Sequence, residues 1–362
     1  MKTKLFALLL VLLTFAVSIA VAQIDLSSYA IDLSPNASVK IIRPDLILSI
    51  APNENGFRST LQLWKDGQKA DEAELMDAEA FNYSLFAFSE SFYGAYGIGH
   101  TGDCVSLRFY RLSDGALELF FSLDTPDYEL GYVTSDAFIL DKGNGQVELY
   151  SWAGERIYTL SLPESFILQN ICLQDDGSIL AFGISEDSSY MYRVLLADRQ
   201  GHFSLNDYPQ SFGLADMQMP YAHLSLTGEI LISSRPRVVN PQTTLLTRID
   251  AQGNLLWQKT LAVPDVIAAL SVVELHEGGS TTVYGRAVAH SKKLYTAFRI
   301  EIDAQGHITS REFRDCTTPA ALDYDLSADV NGQVSLITYD QVSLVVPFED
   351  LPIHDDPGLV LE

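Results

Sequence analysis

Apolar and polar residues alternate in short runs along most of this chain, and the runs break at Gly, Asp, Asn and Ser. Alternation with a period of two is the pattern of β-strands that turn one face to a core. Ser178–Ile184, Thr244–Ile249 and Leu294–Ile302 read this way, and their Val, Ile, Leu, Tyr and Phe suit a pleated surface. Helical periodicity is nearly absent. The acidic stretch Asp71–Glu79 is expected to form a loop or a short helical turn.

The breaks are themselves periodic. Turn glycines stand at Gly67, Gly115, Gly154, Gly201, Gly253 and Gly306, at intervals of 48, 39, 47, 52 and 53 residues. A second series runs Gly177, Gly228, Gly278 or Gly279, and Gly332. Two interleaved turn series with one period imply two hairpins, hence four strands, per unit. The best-preserved turn, Asp250-Ala251-Gln252-Gly253, returns unchanged as Asp303-Ala304-Gln305-Gly306. Four-stranded units at this spacing predict an all-β fold, a β-propeller of seven four-stranded blades within a bracket of six to eight. A β-sandwich pair and a β-helix are the competing architectures. The expected blades are 37–79, 80–126, 127–164, 165–209, 210–264, 265–315 and 316–362, in one domain of residues 23–362. The last unit shows only three strands before Glu349. The strand-like run Ile24–Leu33 is therefore expected to supply its outer strand and close the ring through the chain ends. The competing closure uses Leu359–Leu361.

At Asp250–Trp257 the pattern Asp-x-x-Gly-x-x-x-Trp, after an apolar strand and before Lys259, resembles the repeat of quinoprotein-like (PQQ-repeat) and exported WD40/YVTN-like propellers. The resemblance implies a turn made by the glycine and a Trp packed between neighbouring blades. Asp250, Gly253, Trp257, Asp303 and Gly306 thereby become the structural turn motif. The copy at Asp303 lacks the Trp, and Gly201 is followed by Phe203 and Leu205. With three Trp in all, at 64, 152 and 257, the ring of tryptophans that quinone binding requires is missing. The resemblance implies architecture and no activity.

Charge and address narrow the partners. Met1–Lys4 is a basic start, Leu5–Val17 an apolar core and Ala20-Val21-Ala22 a small-x-small cleavage pattern. This is the layout of a secretory signal peptide over 1–22, cut before Gln23. No later segment is long and apolar enough to span a membrane, so a periplasmic or secreted protein is expected. Beyond the leader, 21 basic residues face 47 acidic ones, a net charge of −26. Such a surface repels phosphate backbones and anionic lipid, which excludes nucleic acid as a partner class. The odd count of three cysteines, Cys104, Cys172 and Cys316, without a CxxC, reads as free, mostly buried thiols.

Motifs for chemistry are sparse. The carboxylate pairs Asp124/Asp127, Asp175/Asp176, Asp323/Asp325 and Asp355/Asp356 read as solvated turns. Asp329-Val330-Asn331-Gly332 has the start of a cation loop, but Thr338 stands where the bidentate Glu belongs. The seven His lack metal-ligand spacing, and no Gly-x-Ser-x-Gly elbow occurs. No catalytic, cofactor-binding or metal-ligating residue is assigned, and no cofactor is expected. Two groups suit binding instead. Phe81, Tyr83, Phe86, Phe88, Phe92, Tyr93 and Tyr96 form an aromatic-dense unit whose plainer use is blade packing. Arg235 and Arg237 open the longest loop between second and third strands in an acidic chain. The sequence thus predicts an exported, non-enzymatic propeller that binds a protein or glycan. The alternative is a glycan- or peptide-directed hydrolase or lyase with its site at the channel mouth.

Overall fold

Asp250 shows how the strands are joined. Its amide donates to Asn254 O at 3.0 Å, and Gly253 N donates back to Asp250 O at 3.0 Å. Asp250 Oδ1 accepts the amides of Gln252 at 2.9 Å and Asn254 at 2.7 Å. The same network surrounds Asp198, Asp303 and Asp329. A carboxylate that caps two amides of its own loop fixes the turn locally, before any tertiary contact forms. Gly253 takes a φ of 80°, which a side chain at that position would oppose.

The computed structural model describes residues 30–31, 37–52, 59–75, 82–101, 104–113, 116–125, 130–134, 137–142, 145–164, 166–185, 191–208, 221–234, 243–263, 267–289, 294–316, 324–338 and 343–361. These form seven antiparallel sheets in a ring, with strands spanning 38–75, 82–125, 130–161, 166–208, 221–262, 267–315 and 324–347. The fold is the seven-bladed β-propeller expected from the turn spacing. In the first six blades the strands follow chain order outward from the central channel, and in the seventh an N-terminal strand takes the outermost place. No helix among the described residues is long and apolar enough to cross a membrane.

Seven hydrophobic clusters hold the ring, one at each seam between neighbouring blades. The period-two rule explains how one strand serves two seams. In Ile179–Ser185, Ile179 and Ala181 pack toward the third blade, while Leu180, Phe182 and Ile184 pack toward the fifth. In Ala137–Asp141, Ala137 and Ile139 face the fourth blade, and Phe138 and Leu140 the second. Strands buried on both faces read as unbroken apolar runs, which is why these two do.

The ring closes through the N-terminal segment. Ala30 and Ile31 pair with Leu344 and Ser343 as the outer strand of the seventh blade. Ile31 joins Ile337 and Val345 against Ile41, Ile47 and Trp64 of the first blade. The competing closure by Leu359–Leu361 is not what forms. With that slot filled, the C-terminal chain passes outside the sixth blade, where Asp315 N donates to Pro352 O at 2.7 Å and His354 N to Phe313 O at 2.8 Å. Val360 and Leu361 then add a fifth strand to the fifth blade, opposite Ala262 and Leu261. Leu359, fully buried at the fifth–sixth seam, anchors the end.

The stretch Asp71–Glu79 also departs from expectation over 71–75, and its remainder, 76–79, lies outside the described residues. Gln68–Leu75 is the outer strand of the first blade, and Asp71, Glu72 and Glu74 lie on it. An outer strand has an open edge and little apolar burial, so charges are tolerated there and discourage pairing with another chain.

Candidate functional site

At the fifth–sixth seam, on the rim that carries the tight turns, a cleft of about 440 Å³ opens between the blades. Glu229, Asp250 and Leu256 line it from the fifth blade, and Glu277, Gly278 and Gly279 from the sixth. Three hairpin turns bring these residues together: Ser225–Glu229, Asp250–Asn254 and His276–Ser280. Each turn is dictated locally, so the cleft wall is backbone held by its own hydrogen bonds.

Beneath the cleft lies a buried ion pair. Arg248 is 0% exposed and Glu229 6%. Arg248 Nη2 donates to Glu229 Oε2 at 2.9 Å, and Nη1 donates to the carbonyls of Ile230 at 3.2 Å and Ile249 at 3.1 Å. Nε is buried without a partner. Taking both charges out of water is costly, and the pair holds only because its geometry returns most of that cost. The equivalent positions in the repeat are Ser178 and Leu196 in the fourth blade, and Ser280 and Glu301 in the sixth. Sequence analysis missed this pair. The signal was present in the alignment of the repeats, where Arg248 and Glu229 break the pattern of their counterparts.

The residues singled out from sequence fall in several places. Trp257 is buried in the cluster at the fifth–sixth seam, behind the cleft. Its neighbour is Gly306, where an added Cβ would lie 3.0 Å from the indole ring, so the turn of one blade seats on the aromatic ring of the blade before it. Tyr208 repeats the arrangement one blade earlier by donating its hydroxyl to Gly253 O. Asp303 shapes its turn as Asp250 does; the His307 amide donating to its carboxylate holds the Asp303 pKa below the usual range. Arg235 and Arg237 lie outside the described residues, as do the leader 1–22 and Phe81.

The aromatic-dense unit packs. Phe86, Phe88, Phe92 and Tyr96 join Phe109, Phe138 and Trp152 at the second–third seam, while Tyr83 and Tyr93 face the first blade. Of the paired carboxylates, Asp124 accepts from Ser106 Oγ, Asp176 from Ser178, Asp325 from Ser271 Oγ and Asp356 from Arg311. Asp127 and Asp323 are outside the described residues. No cluster of three metal-ligating side chains occurs among the described residues. Cys172 and Cys316 are free thiols in different seams, and burial pushes both up to about 12.

Two titratable groups occupy innermost strands. Burial lowers the Lys40 ammonium on the first blade, and lowers His223 on the fifth to about 4. Hydrogen bonds tie neighbouring inner strands together: Asn170 Nδ2 donates to Ala222 O at 2.7 Å, and Ser271 Oγ to Asp325 Oδ1 at 2.6 Å.

No family model matches this chain. No curated protein matches it either. Solved structures do. BamB from Moraxella catarrhalis is 11% identical with a TM-score of 0.47, over 88% of this chain and 98% of its own. The WD40 β-propeller domain of Doa1 is 11% identical with a TM-score of 0.49, over 89% of this chain and 96% of its own. A protein from Lactobacillus plantarum is 16% identical with a TM-score of 0.42, over 85% of this chain and 84% of its own. The propeller expectation raised by the repeat rests on the seven four-stranded sheets themselves.

Proposed function

We propose that this protein is an exported, non-enzymatic scaffold that binds another macromolecule outside the cytoplasm. In this reading the partner docks on the tight-turn rim, over the cleft between the fifth and sixth blades. One observation carries it: a cleft of about 440 Å³ opens beside a buried ion pair that the fourth and sixth blades lack at equivalent positions. A cleft of this size takes one or two side chains of a larger ligand, as an anchor pocket does at the centre of a protein interface. The packed seams supply the second requirement, a platform that keeps its shape on binding. Export is supported by the basic start, apolar core and Ala-x-Ala end of the leader. The acidic balance supports neither nucleic acid nor anionic membrane as the target.

Affinity capture from the extracytoplasmic fraction under mild cross-linking, read by mass spectrometry, tests the proposal. The expected result is a stoichiometric partner that wild type retains and that a charge reversal in the cleft, Glu277→Lys, releases. A protein that stays alone under cross-linking overturns the scaffold reading.

A further inference from the structure

We propose that the cleft between the fifth and sixth blades receives a lysine or arginine side chain of a protein partner, an inference that rests on the scaffold reading above. The lining has the two surfaces that such a side chain needs. Leu256, 37% exposed, offers an apolar wall for the methylene stem. The carboxylates of Glu229 and Glu277 offer acceptors for the cationic head.

The acceptors are not equivalent, and the difference gives the cleft its direction. Asp250 spends its oxygens on Gln252 N, Asn254 N and Asn254 Nδ2, so it serves its turn. Glu229 is fixed at depth by Arg248, which two backbone carbonyls hold in place. Glu277 stands exposed at the mouth and forms no ion pair among the described residues. A cation therefore meets Glu277 first and Glu229 below it, with little side-chain entropy lost at the deeper site because that carboxylate is already ordered.

An independent line comes from the repeat. The fourth blade builds the same turn with Ser178 and Leu196, so the blade fold does not require a buried Arg–Glu pair. Keeping one, with Arg248 Nε left unpartnered, sets a cost against stability at the one seam where this cleft opens onto Glu229. A phosphate or carboxylate ligand would meet the uncompensated negative charge of Glu277 at the mouth, since the charge of Glu229 is balanced by Arg248. The excess of acidic residues across the chain also steers basic partners toward the molecule.

The test uses the mature chain and, as probe, an acetylated and amidated hexalysine peptide, followed by backbone amide shifts. Shifts are expected to concentrate at Ala251, Gln252, Gly278 and Gly279. Glu277→Lys is expected to weaken binding about tenfold. Glu164→Lys, an exposed charge reversal between the third and fourth blades, is expected to change it by less than about twofold. The double variant Glu229→Ser with Arg248→Leu copies the fourth blade, so it keeps the fold and is expected to lose the shifts. Equal weakening by Glu277→Lys and Glu164→Lys, or shifts spread evenly over the surface, would show general attraction to an acidic protein and overturn the assignment. In the capture experiment, a partner that Glu277→Lys still retains overturns the basic-side-chain inference and leaves the scaffold reading standing. The absence of any partner overturns the scaffold reading itself.

Discussion

Arg248 is the residue whose placement is hardest to explain by folding alone. Removing one member of a buried pair leaves the other charged and dry. Glu229→Ala is therefore expected to cost about 3–5 kcal/mol in urea denaturation. Replacing both, Glu229→Ser with Arg248→Leu, is expected to stay within about 1 kcal/mol of wild type, since the fourth blade folds with that pair. A large loss in the double variant would mean that the pair is needed for packing. His223 gives a second prediction. Its folded pKa of about 4 lies below the ordinary 6.5, so between those values the unfolded chain takes up a proton that the folded chain refuses. Stability is thus expected to fall as pH drops from 6.5 toward 4. Urea midpoints at pH 7 and pH 5 should diverge more for wild type than for His223→Gln, and equal slopes would rule His223 out as the cause. The turn at Asp250 was legible in the sequence because the hydrogen bonds of the Asp250 carboxylate that shape it lie within five residues of chain. The Arg248–Glu229 pair was not, because its partners are 19 positions apart and meet only once two strands have chosen their register.

At the scale of elements, the outer strands and the chain ends are where sequence reading and structure part. Gln68–Leu75 has the composition of a loop, since a strand at the rim of a blade is asked to bury little. The inner runs were legible for the opposite reason: burial on both faces leaves them almost wholly apolar. The competing closure put Leu359–Leu361 on the seventh blade because the segment carries an apolar signal without any mark of which edge it joins. Its hold is specific. Arg311 Nη1 donates to Leu359 O at 2.8 Å and to Asp356 Oδ2 at 3.0 Å, and Arg314 Nη1 donates to Leu351 O at 2.8 Å. Leu359→Ala is expected to cost about 3 kcal/mol by emptying a filled place at the fifth–sixth seam. Val360→Ser, at the exposed next position, is expected to cost less than about 0.5 kcal/mol. Urea denaturation of the two variants measures the contrast, and equal losses would show that pairing rather than burial anchors the segment.

At the scale of the molecule, seven seams in a closed ring mean that no blade is terminal. The blade count followed from turn glycines, which report a period whatever lies between them. The position of the cleft did not, since a gap between blades depends on side chains from two repeats at once. Closure itself depends on little chain. A protein beginning at residue 37 lacks Ala30 and Ile31, which bares the edge of Ser343–Pro347 and removes Ile31 from the seventh–first seam. That form is expected to unfold at lower urea and to self-associate through the open edge. A peptide spanning 24–33 added in trans is expected to restore the midpoint. A chain as stable without the segment as with it would mean that the latch is dispensable.

The C-terminal segment that crosses the sixth blade also sets how the protein bears mechanical load. It is fastened outside the ring, two blades away from where the N-terminal strand is woven in. Tension on the C-terminal end reaches Val360–Leu361 first, then Leu359 in the fifth–sixth seam, and then the Pro352–His354 contacts. Peeling residues 352–361 releases up to about 35 Å of chain and draws Leu359 out of the fifth–sixth seam, while the other six seams keep their clusters. The tail thus couples the C-terminus to the fifth–sixth seam, and a load applied there tugs first on the strand that walls the cleft.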